Sequence, residues 1–233
     1  MMLLRKQFEN SPTVARVAPF FVFLLLTFFQ RQFGEDGRYW FYLLKTLVGA
    51  WLIWEIHPFV TEMRWNISWE AVVTGVGVCV IWVGLDPFYP KLSELGVMNR
   101  FGKAQASVPW NPFDRYGTGS AVAWLLVATR IVGSTLIVAP LEEVFFRSWV
   151  YRYIVKPDFQ SVPLSRFVLM PFVVTAVFFA FEHEQWLAGL LCAFAYHGLV
   201  LRKRRLGDAI TAHAITNFLL GVWVVWRDAW NFW

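Results

Sequence analysis

Residues 119–138, GSAVAWLLVATRIVGSTLIV, form an apolar run long enough to cross a lipid bilayer as a helix. Two comparable runs are APFFVFLLLTFF at 18–29 and FVLMPFVVTAVFFAF at 167–181. All three runs are too long for the strands of a membrane β-barrel, and none alternates between apolar and polar residues. The sequence therefore predicts transmembrane helices.

The composition agrees with a membrane environment. The 233 residues are 58% hydrophobic, 19% aromatic and 16% charged, whereas a soluble domain averages about 25% charged and 45–50% apolar residues. Fourteen tryptophans fit the aromatic belts at the two membrane interfaces. The net charge of +5 comes from basic residues that cluster in short loops, as in membrane proteins. We therefore expect a lipid bilayer and no nucleic acid as a partner.

Eight apolar runs are candidates for membrane spans. They are 14–30, 39–56, 68–85, 119–138, 140–155, 166–182, 186–201 and 208–227. This pattern predicts an all-α, polytopic transmembrane bundle of about eight helices, forming a single integral membrane domain over residues 1–233. We expect a multi-pass membrane protein, located in the cell inner membrane if the source is bacterial. The longest connection, 86–118, is expected to be an interfacial connector, and its stretch YPKLSELGVM (89–98) fits a short interfacial helix.

Most polar residues in these runs have a simple explanation. Lys45, Glu55, Glu70 and Asp208 lie near the ends of segments or have side chains that can snorkel to the interface. Arg130 lies deeper in its span and needs a partner. A glutamate of the next segment is one candidate, but the sequence alone does not select one.

The stretch APLEEVFFRSWV (139–150) holds two glutamates and an arginine in an apolar setting. On a helix, residues four apart share a face, so Glu143 can pair with Arg147. Glu142 is rotated by about 100° from Glu143 and has no obvious partner on its own helix. A helix that starts near Pro140 would favour one carboxylate through its macrodipole. The macrodipole does not account for the second carboxylate, so the presence of two carboxylates in a bilayer needs a further explanation.

Two further polar groups lie in later spans. The stretch FFAFEHEQW (178–186) places Phe179 and His183 four residues apart at the end of a span, and HAITN (213–217) places His213 and Asn217 on one helix face. The second pair also fits an ordinary hydrogen-bonded contact between membrane helices. Together, a carboxylate, two histidines and an amide on three spans can build a pocket for acid–base or metal-assisted chemistry.

In this order and spacing, the motifs resemble the signature of the CPBP (Abi) family, which comprises CAAX proteases and bacteriocin-processing enzymes. That signature reads EExxxR, FxxxH and HxxxN on separate transmembrane helices, and the resemblance covers about residues 135–220. Ser148 stands where glycine is commoner after the arginine. The resemblance implies an intramembrane endopeptidase of about eight helices. Its substrate would be a membrane-associated peptide, including lipidated or prenylated CAAX-type substrates.

The resemblance also implies roles for the motif residues. Glu142 with His183 would hold and activate the attacking water, and His213 with Asn217 would stabilise the oxyanion. Glu143 with Arg147 would brace the first motif helix. These residue types suit peptide hydrolysis, which needs a base near water and donors aimed at the oxyanion.

Three alternatives stay open on the sequence alone. A bound Zn²⁺ ion with Glu142, His183 and His213 as ligands and water as the fourth ligand would suit the same residues. The chain could also be a non-catalytic scaffold or escort protein of the same family, or a small transporter or metal channel.

The predicted spans place Glu142 and His183 near one membrane face, while His213 lies about 8 Å in from the other face. A shared site therefore requires Glu142 to lie deeper than predicted or the bundle to be tilted.

Overall fold

A computed structural model of the chain describes residues 2–95 and 109–233, and every regular element in these ranges is helical. The helices are α1 (Met2–Asn10), α2 (Pro12–Phe29), α3 (Gly34–Ile56), α4 (Trp69–Leu85), α5 (Pro112–Tyr116), α6 (Ala121–Val155), α7 (Leu169–Ala180), α8 (Trp186–Lys203) and α9 (Gly207–Arg227). The predicted helical bundle is confirmed, and the predicted number of about eight helices is approximately right.

Among the residues that the structure describes, four segments are long and apolar enough to cross a membrane, by length and composition. They are α2, α4 with the turns that follow it (Trp69–Glu94), α6 and α9. Large apolar side chains such as Phe28, Trp54 and Trp226 point outwards, as expected for surfaces that face lipid. The chain is therefore an integral, multi-pass membrane protein.

The predicted separation of spans 119–138 and 140–155 is wrong, because both belong to the single helix α6. Proline lacks a backbone N–H and fits the first turn of a helix, so a new helix was expected to start near Pro140. In the structure, π-helical turns at Ser134–Val138 and Val144–Val150 lie on both sides of Ala139–Glu143. Such wider turns accommodate a proline within a continuous membrane helix.

The continuity of α6 changes the interpretation of its glutamates. Glu142 and Glu143 lie well inside the helix, many residues from its first turn. The macrodipole of a helix start therefore does not explain them, since its effect falls off within the first turn. Glu142 therefore does not lie at the start of a helix, as the predicted spans required.

By its internal contacts the chain divides into two compact units. The first comprises residues 2–64, 109–145 and 217–233, and the second comprises 65–95 and 146–216 within the described ranges. The core of the first unit contains a buried cluster of Tyr39, Tyr42, Trp110 and Leu126.

One end of the first unit is fixed by a charged contact between α3 and the segment that precedes α6. The side chain of Arg115 donates to the Asp36 carboxylate over 2.8 Å, and the Tyr116 hydroxyl donates to it over 2.8 Å. These hydrogen bonds lower the pKa of Asp36 to about 2. The carboxylate therefore stays ionised, and this contact stays intact, over the whole physiological pH range.

The second unit is held together by a close approach of α4 to the first half of α9. A β-carbon added at Gly75 would lie 2.6 Å from the carbonyl oxygen of Ala212 and 2.8 Å from the β-carbon of Ile215. Small residues allow membrane helices to approach to such distances. The absence of a side chain at Gly75 is thus a requirement of this helix pair.

We expect Gly75→Ala to lower the free energy of unfolding by about 1–3 kcal/mol, because the added methyl group overpacks the contact. Gly77→Ala is the matched control, since a β-carbon there meets no atom within 4 Å. Thermal unfolding of both variants in the same detergent measures the difference. Equal melting temperatures for the two variants would contradict the proposed close approach.

The predicted interfacial helix at 89–98 is only partly covered by the described residues. Within them, the chain forms a single 3₁₀ turn, Leu92–Glu94. Residues 96–98 lie outside the described ranges.

Candidate active site

The second unit arranges three of the expected motif residues around one aromatic ring, that of Phe179. The centroid of this ring lies 4.8 Å from the His183 ring, 5.9 Å from the His213 ring and 4.3 Å from the guanidinium carbon of Arg147. Phe146 packs edge-on against Phe179, with the ring centroids 5.3 Å apart. The phenylalanine of the FxxxH motif is therefore the packing centre of this part of the site.

His183 lies in the short turn between α7 and α8, and a backbone hydrogen bond fixes its tautomer. Its Nδ1 atom is 2.9 Å from the carbonyl oxygen of Phe179. A carbonyl oxygen only accepts, so Nδ1 carries the hydrogen. In the neutral ring, Nε2 then has a free lone pair, which can accept a hydrogen bond from water. Trp82 packs edge-on against this ring, with the centroids 5.2 Å apart, and restrains its orientation.

His213 rests on the ring of Tyr196, which is completely buried. The two rings are stacked, with their centroids 5.0 Å apart and an interplanar angle of 27°. The Tyr196 hydroxyl donates to Oγ1 of Thr216 over 2.7 Å, and the Thr216 hydroxyl donates to the carbonyl oxygen of Gly75 over 2.8 Å. This chain ties the ring under His213 to both α4 and α9, so Tyr196 holds the histidine in place.

Tyr196 and Thr216 were not among the residues selected from the sequence. A hydroxyl in an apolar helix is a weak signal by itself, since serine, threonine and tyrosine are common in membrane helices. Their role depends on Gly75, which is far away in the sequence. The sequence signal for Thr216 was only its position between His213 and Asn217.

We expect Tyr196→Phe to lower the free energy of unfolding by about 1–3 kcal/mol, because Thr216 loses a buried hydrogen-bond partner. Tyr153→Phe is the control, since Tyr153 is largely exposed, and it should unfold like the wild type. Denaturant or thermal unfolding of the purified proteins provides the comparison. A Tyr196→Phe variant as stable as the control would show that the hydroxyl chain does not fix the ring.

Glu184, which follows His183, holds the connection that follows α4. Its carbonyl oxygen accepts from the backbone N–H of Leu92 over 2.9 Å, and its carboxylate accepts from the N–H of Ser93 over 3.1 Å. The indole N–H of Trp186 donates to the carbonyl oxygen of Pro90 over 3.0 Å. The turn that carries His183 is thereby anchored to the end of the α4 segment.

The second unit contains one more histidine, His197, which is a core residue. Its ring lies 4.2 Å from that of Tyr151 and 4.9 Å from that of Phe172. This packing accounts for a buried histidine without a catalytic role.

The first unit contains Asn217, whose side chain binds the backbone of α6. Its Nδ2 atom donates to the carbonyl oxygen of Ser134 over 2.9 Å, and Ser134 is the first residue of the π turn Ser134–Val138. An asparagine amide has two N–H donors. One N–H of Asn217 is therefore used to hold α9 against this turn, and the second is available for a ligand.

The first unit also contains Glu142 and Glu143, which differ in burial. Glu143 is 0% exposed and Arg147, one turn later in α6, is 2% exposed. Buried ions of this kind require pairing, because desolvation costs several kcal/mol per ion. Glu142 is half-buried. Of the two glutamates, Glu142 is therefore the one that water or a ligand can reach.

The zinc alternative requires Glu142, His183 and His213 to gather as ligands. Within residues 2–95 and 109–233, no group of three or more His, Cys, Asp or Glu side chains is arranged to hold a metal ion. The zinc alternative stays a prediction, which a chelator experiment tests.

Comparison with known proteins gives a match to a protein family. Residues 121–219 match the family model described as Type II CAAX prenyl endopeptidase Rce1-like. No curated protein and no solved structure matches the chain. The matched range begins at the first residue of α6 and includes all three motifs, from Glu142 to Asn217.

Proposed function

We propose that the chain is an intramembrane endopeptidase with Glu142 and His183 as its water-activating residues, since residues 121–219 match the Rce1-like CAAX prenyl endopeptidase family model. The observation that carries it is the hydrogen bond from His183 to the Phe179 carbonyl, which leaves Nε2 as an acceptor.

Glu142 is the general base in this proposal. Its carboxylate removes a proton from water as the water oxygen attacks the carbonyl carbon of the scissile peptide bond. His183 holds the same water through Nε2. The protonated Glu142 then gives its proton to the leaving nitrogen, the C–N bond breaks, and the products are a carboxylic acid and an amine.

His213 and Asn217 stabilise the oxyanion that forms during this attack. Preorganised N–H donors are effective because they need no reorganisation when the charge develops. Two features of the separate units support these roles. The Tyr196 ring holds His213, and the bond to Ser134 leaves Asn217 one further N–H.

Glu143 and Arg147 have a bracing role. Both are buried in α6, and the guanidinium of Arg147 stacks on Phe179. A paired Glu143 would fix the π-helical turn that follows Glu142 and so set the direction of the catalytic carboxylate.

The proposed substrate is a membrane-associated peptide. The matching family is described as a CAAX prenyl endopeptidase, and lipid attachment would bring a peptide to a site in the bilayer. For this chain we propose a lipid-anchored or membrane-spanning peptide, with a prenyl group as one form of the anchor.

Cleavage in heavy-oxygen water tests the proposal. Proteoliposomes with the wild type or Glu142→Gln are incubated with membrane proteins from the native cells, and mass spectrometry identifies new carboxyl termini that carry ¹⁸O. We expect such termini only with the wild type. Their absence with the wild type, in a folded protein, would favour the non-catalytic scaffold.

A chelator arm of the same experiment tests the zinc alternative. We expect the wild type to keep its activity in 1,10-phenanthroline, because the proposed steps use only side chains of the chain. Loss of activity that added Zn²⁺ restores would contradict the metal-independent scheme.

A further inference from the structure

The connection between α8 and α9 carries four consecutive basic residues, Arg202, Lys203, Arg204 and Arg205, which we call the basic turn. It lies beside the start of α4 in the second unit, because Nζ of Lys203 is 3.1 Å from a carboxylate oxygen of Glu70. Both α4 and α9 are long and apolar enough to span a membrane, and both begin at this end of the unit. The basic turn therefore belongs at a membrane interface.

The two carboxylates next to the basic turn point inwards and are paired there. Asp208 is 0% exposed and forms an ion pair with Arg205, and Glu70 is 15% exposed and forms one with Lys203. Arg202 is 70% exposed, and its Nε atom is 3.9 Å from Glu70. Four basic side chains against two carboxylates leave a net charge of +2, and this excess lies on the outer side.

Arg204 has a backbone conformation that is unfavourable for a residue with a side chain. It ends α8 in the left-handed region, with φ of 58° and ψ of 25°, and its N–H donates to the carbonyl oxygen of Val200 over 2.7 Å. Glycine is the usual residue at such a helix end, because it has no β-carbon. The attraction of cations to a helix C-terminus explains Arg202 and Lys203, but it does not require an arginine in this conformation. An exposed arginine in a strained position indicates a role for its guanidinium.

Exposed apolar side chains lie at the same end of the second unit. Trp69, the residue before Glu70, is exposed at the start of α4, and so are Trp65 and Ile67. Tryptophan side chains favour the headgroup level of a bilayer. An acidic soluble protein would use the cations alone, whereas a phospholipid uses both features, since its phosphate meets the cations and its acyl chain meets the apolar side chains.

We propose that the basic turn binds the phosphate group of an anionic phospholipid, with Arg202 and Arg204 as its donors. A guanidinium presents a planar fork of N–H groups that matches the oxygens of a phosphate. A lipid with a net negative charge is preferred, because a zwitterionic headgroup would not neutralise the excess positive charge of the turn. This site goes beyond the proposed protease function and does not depend on it.

Thermal unfolding of the full-length protein in a neutral detergent tests the lipid site. The probes are dioleoylphosphatidylglycerol and dioleoylphosphatidylcholine, which have the same acyl chains. At about ten times its Kd, phosphatidylglycerol should raise the Tm of the wild type by about 3–5 °C more than phosphatidylcholine does. The double variant Arg202→Gln with Arg204→Gln should lose most of this difference. Without added lipid it should unfold like the wild type, since neither arginine is buried.

A second pair of cations provides the matched control. Arg5 and Lys6 are exposed in α1, and replacing both by glutamine removes the same amount of charge. This control should keep the full difference between the two lipids, because its cations lie outside the basic turn.

Arg204→Gly separates the strain at this residue from its role as a ligand. Without added lipid we expect its Tm to be about 1–3 °C above that of the wild type, because glycine adopts the left-handed conformation without steric cost. The rise that is specific to phosphatidylglycerol should nevertheless be smaller than in the wild type. A full specific rise in this variant would exclude Arg204 as a ligand and contradict the proposal.

The wild type alone can overturn the lipid site, whether or not the variants fold. Equal rises with the two lipids would leave the cations as a signal for membrane orientation only. A rise with inorganic phosphate as large as that with phosphatidylglycerol would assign the site to a free anion. A rise with poly-aspartate and none with phosphatidylglycerol would assign it to an acidic protein. Among the variants, an equal loss in the control pair would reduce the effect to non-specific charge attraction.

Discussion

Glu142→Gln is expected to lower kcat by about 10³–10⁴-fold, because it removes the general base while keeping the size of the side chain. Glu142 is half-buried, so the neutral amide should be tolerated by the fold. The measurement is the initial rate of release of a cleaved fragment in proteoliposomes, with folding checked by thermal unfolding.

Glu35→Gln is the matched control for this loss of a carboxylate. Glu35 is 86% exposed in the ion pair that it forms with Arg115, and its replacement should leave the rate at the wild-type level. A Glu142→Gln rate within tenfold of the control would show that another group acts as the base.

Arg147→Met is expected to lower the free energy of unfolding by about 3–5 kcal/mol, because in the proposed bracing role the buried carboxylate of Glu143 would lose the countercharge of Arg147. It also removes the guanidinium that stacks 4.3 Å from the Phe179 ring centroid. Chemical unfolding of the purified variants provides the free energies. Arg202→Met is the control, since Arg202 is 70% exposed. This substitution should change the free energy of unfolding little.

A double-mutant cycle isolates the contribution of the pair. The variant with both Glu143→Gln and Arg147→Met should recover most of the lost stability, because neither charge is then left unpaired. Strictly additive losses in the two single variants would show that Glu143 and Arg147 are not coupled, and would remove their proposed bracing role.

The sequence predicted the membrane bundle well because its signal is local. Runs of apolar residues longer than a bilayer is thick can be recognised without tertiary information. The prediction failed at Pro140, where a proline in the first turn of a helix led us to expect the start of a new span. The π turns that keep α6 continuous are set by the surrounding packing, and no residue pattern in the sequence predicts them.

The part of the candidate site that could be predicted from the sequence is the part that consists of recognisable motifs. The spacing of Phe179 and His183 put both side chains on one side of the turn, and the structure shows the backbone bond that fixes the histidine tautomer. The partners of Arg130 could not be found in this way. Tyr42, Trp110 and Trp233 come from three distant segments, and aromatic residues are too frequent in this chain for any of them to stand out.

The most direct test of the proteolytic function is a comparison of membrane-protein termini in native cells that express either the wild type or Glu142→Gln at matched levels. We predict at least one terminus that appears only with the wild type, and this terminus would identify the substrate. Identical termini in the two strains, with both proteins folded in the membrane, would contradict the protease function and favour a scaffold.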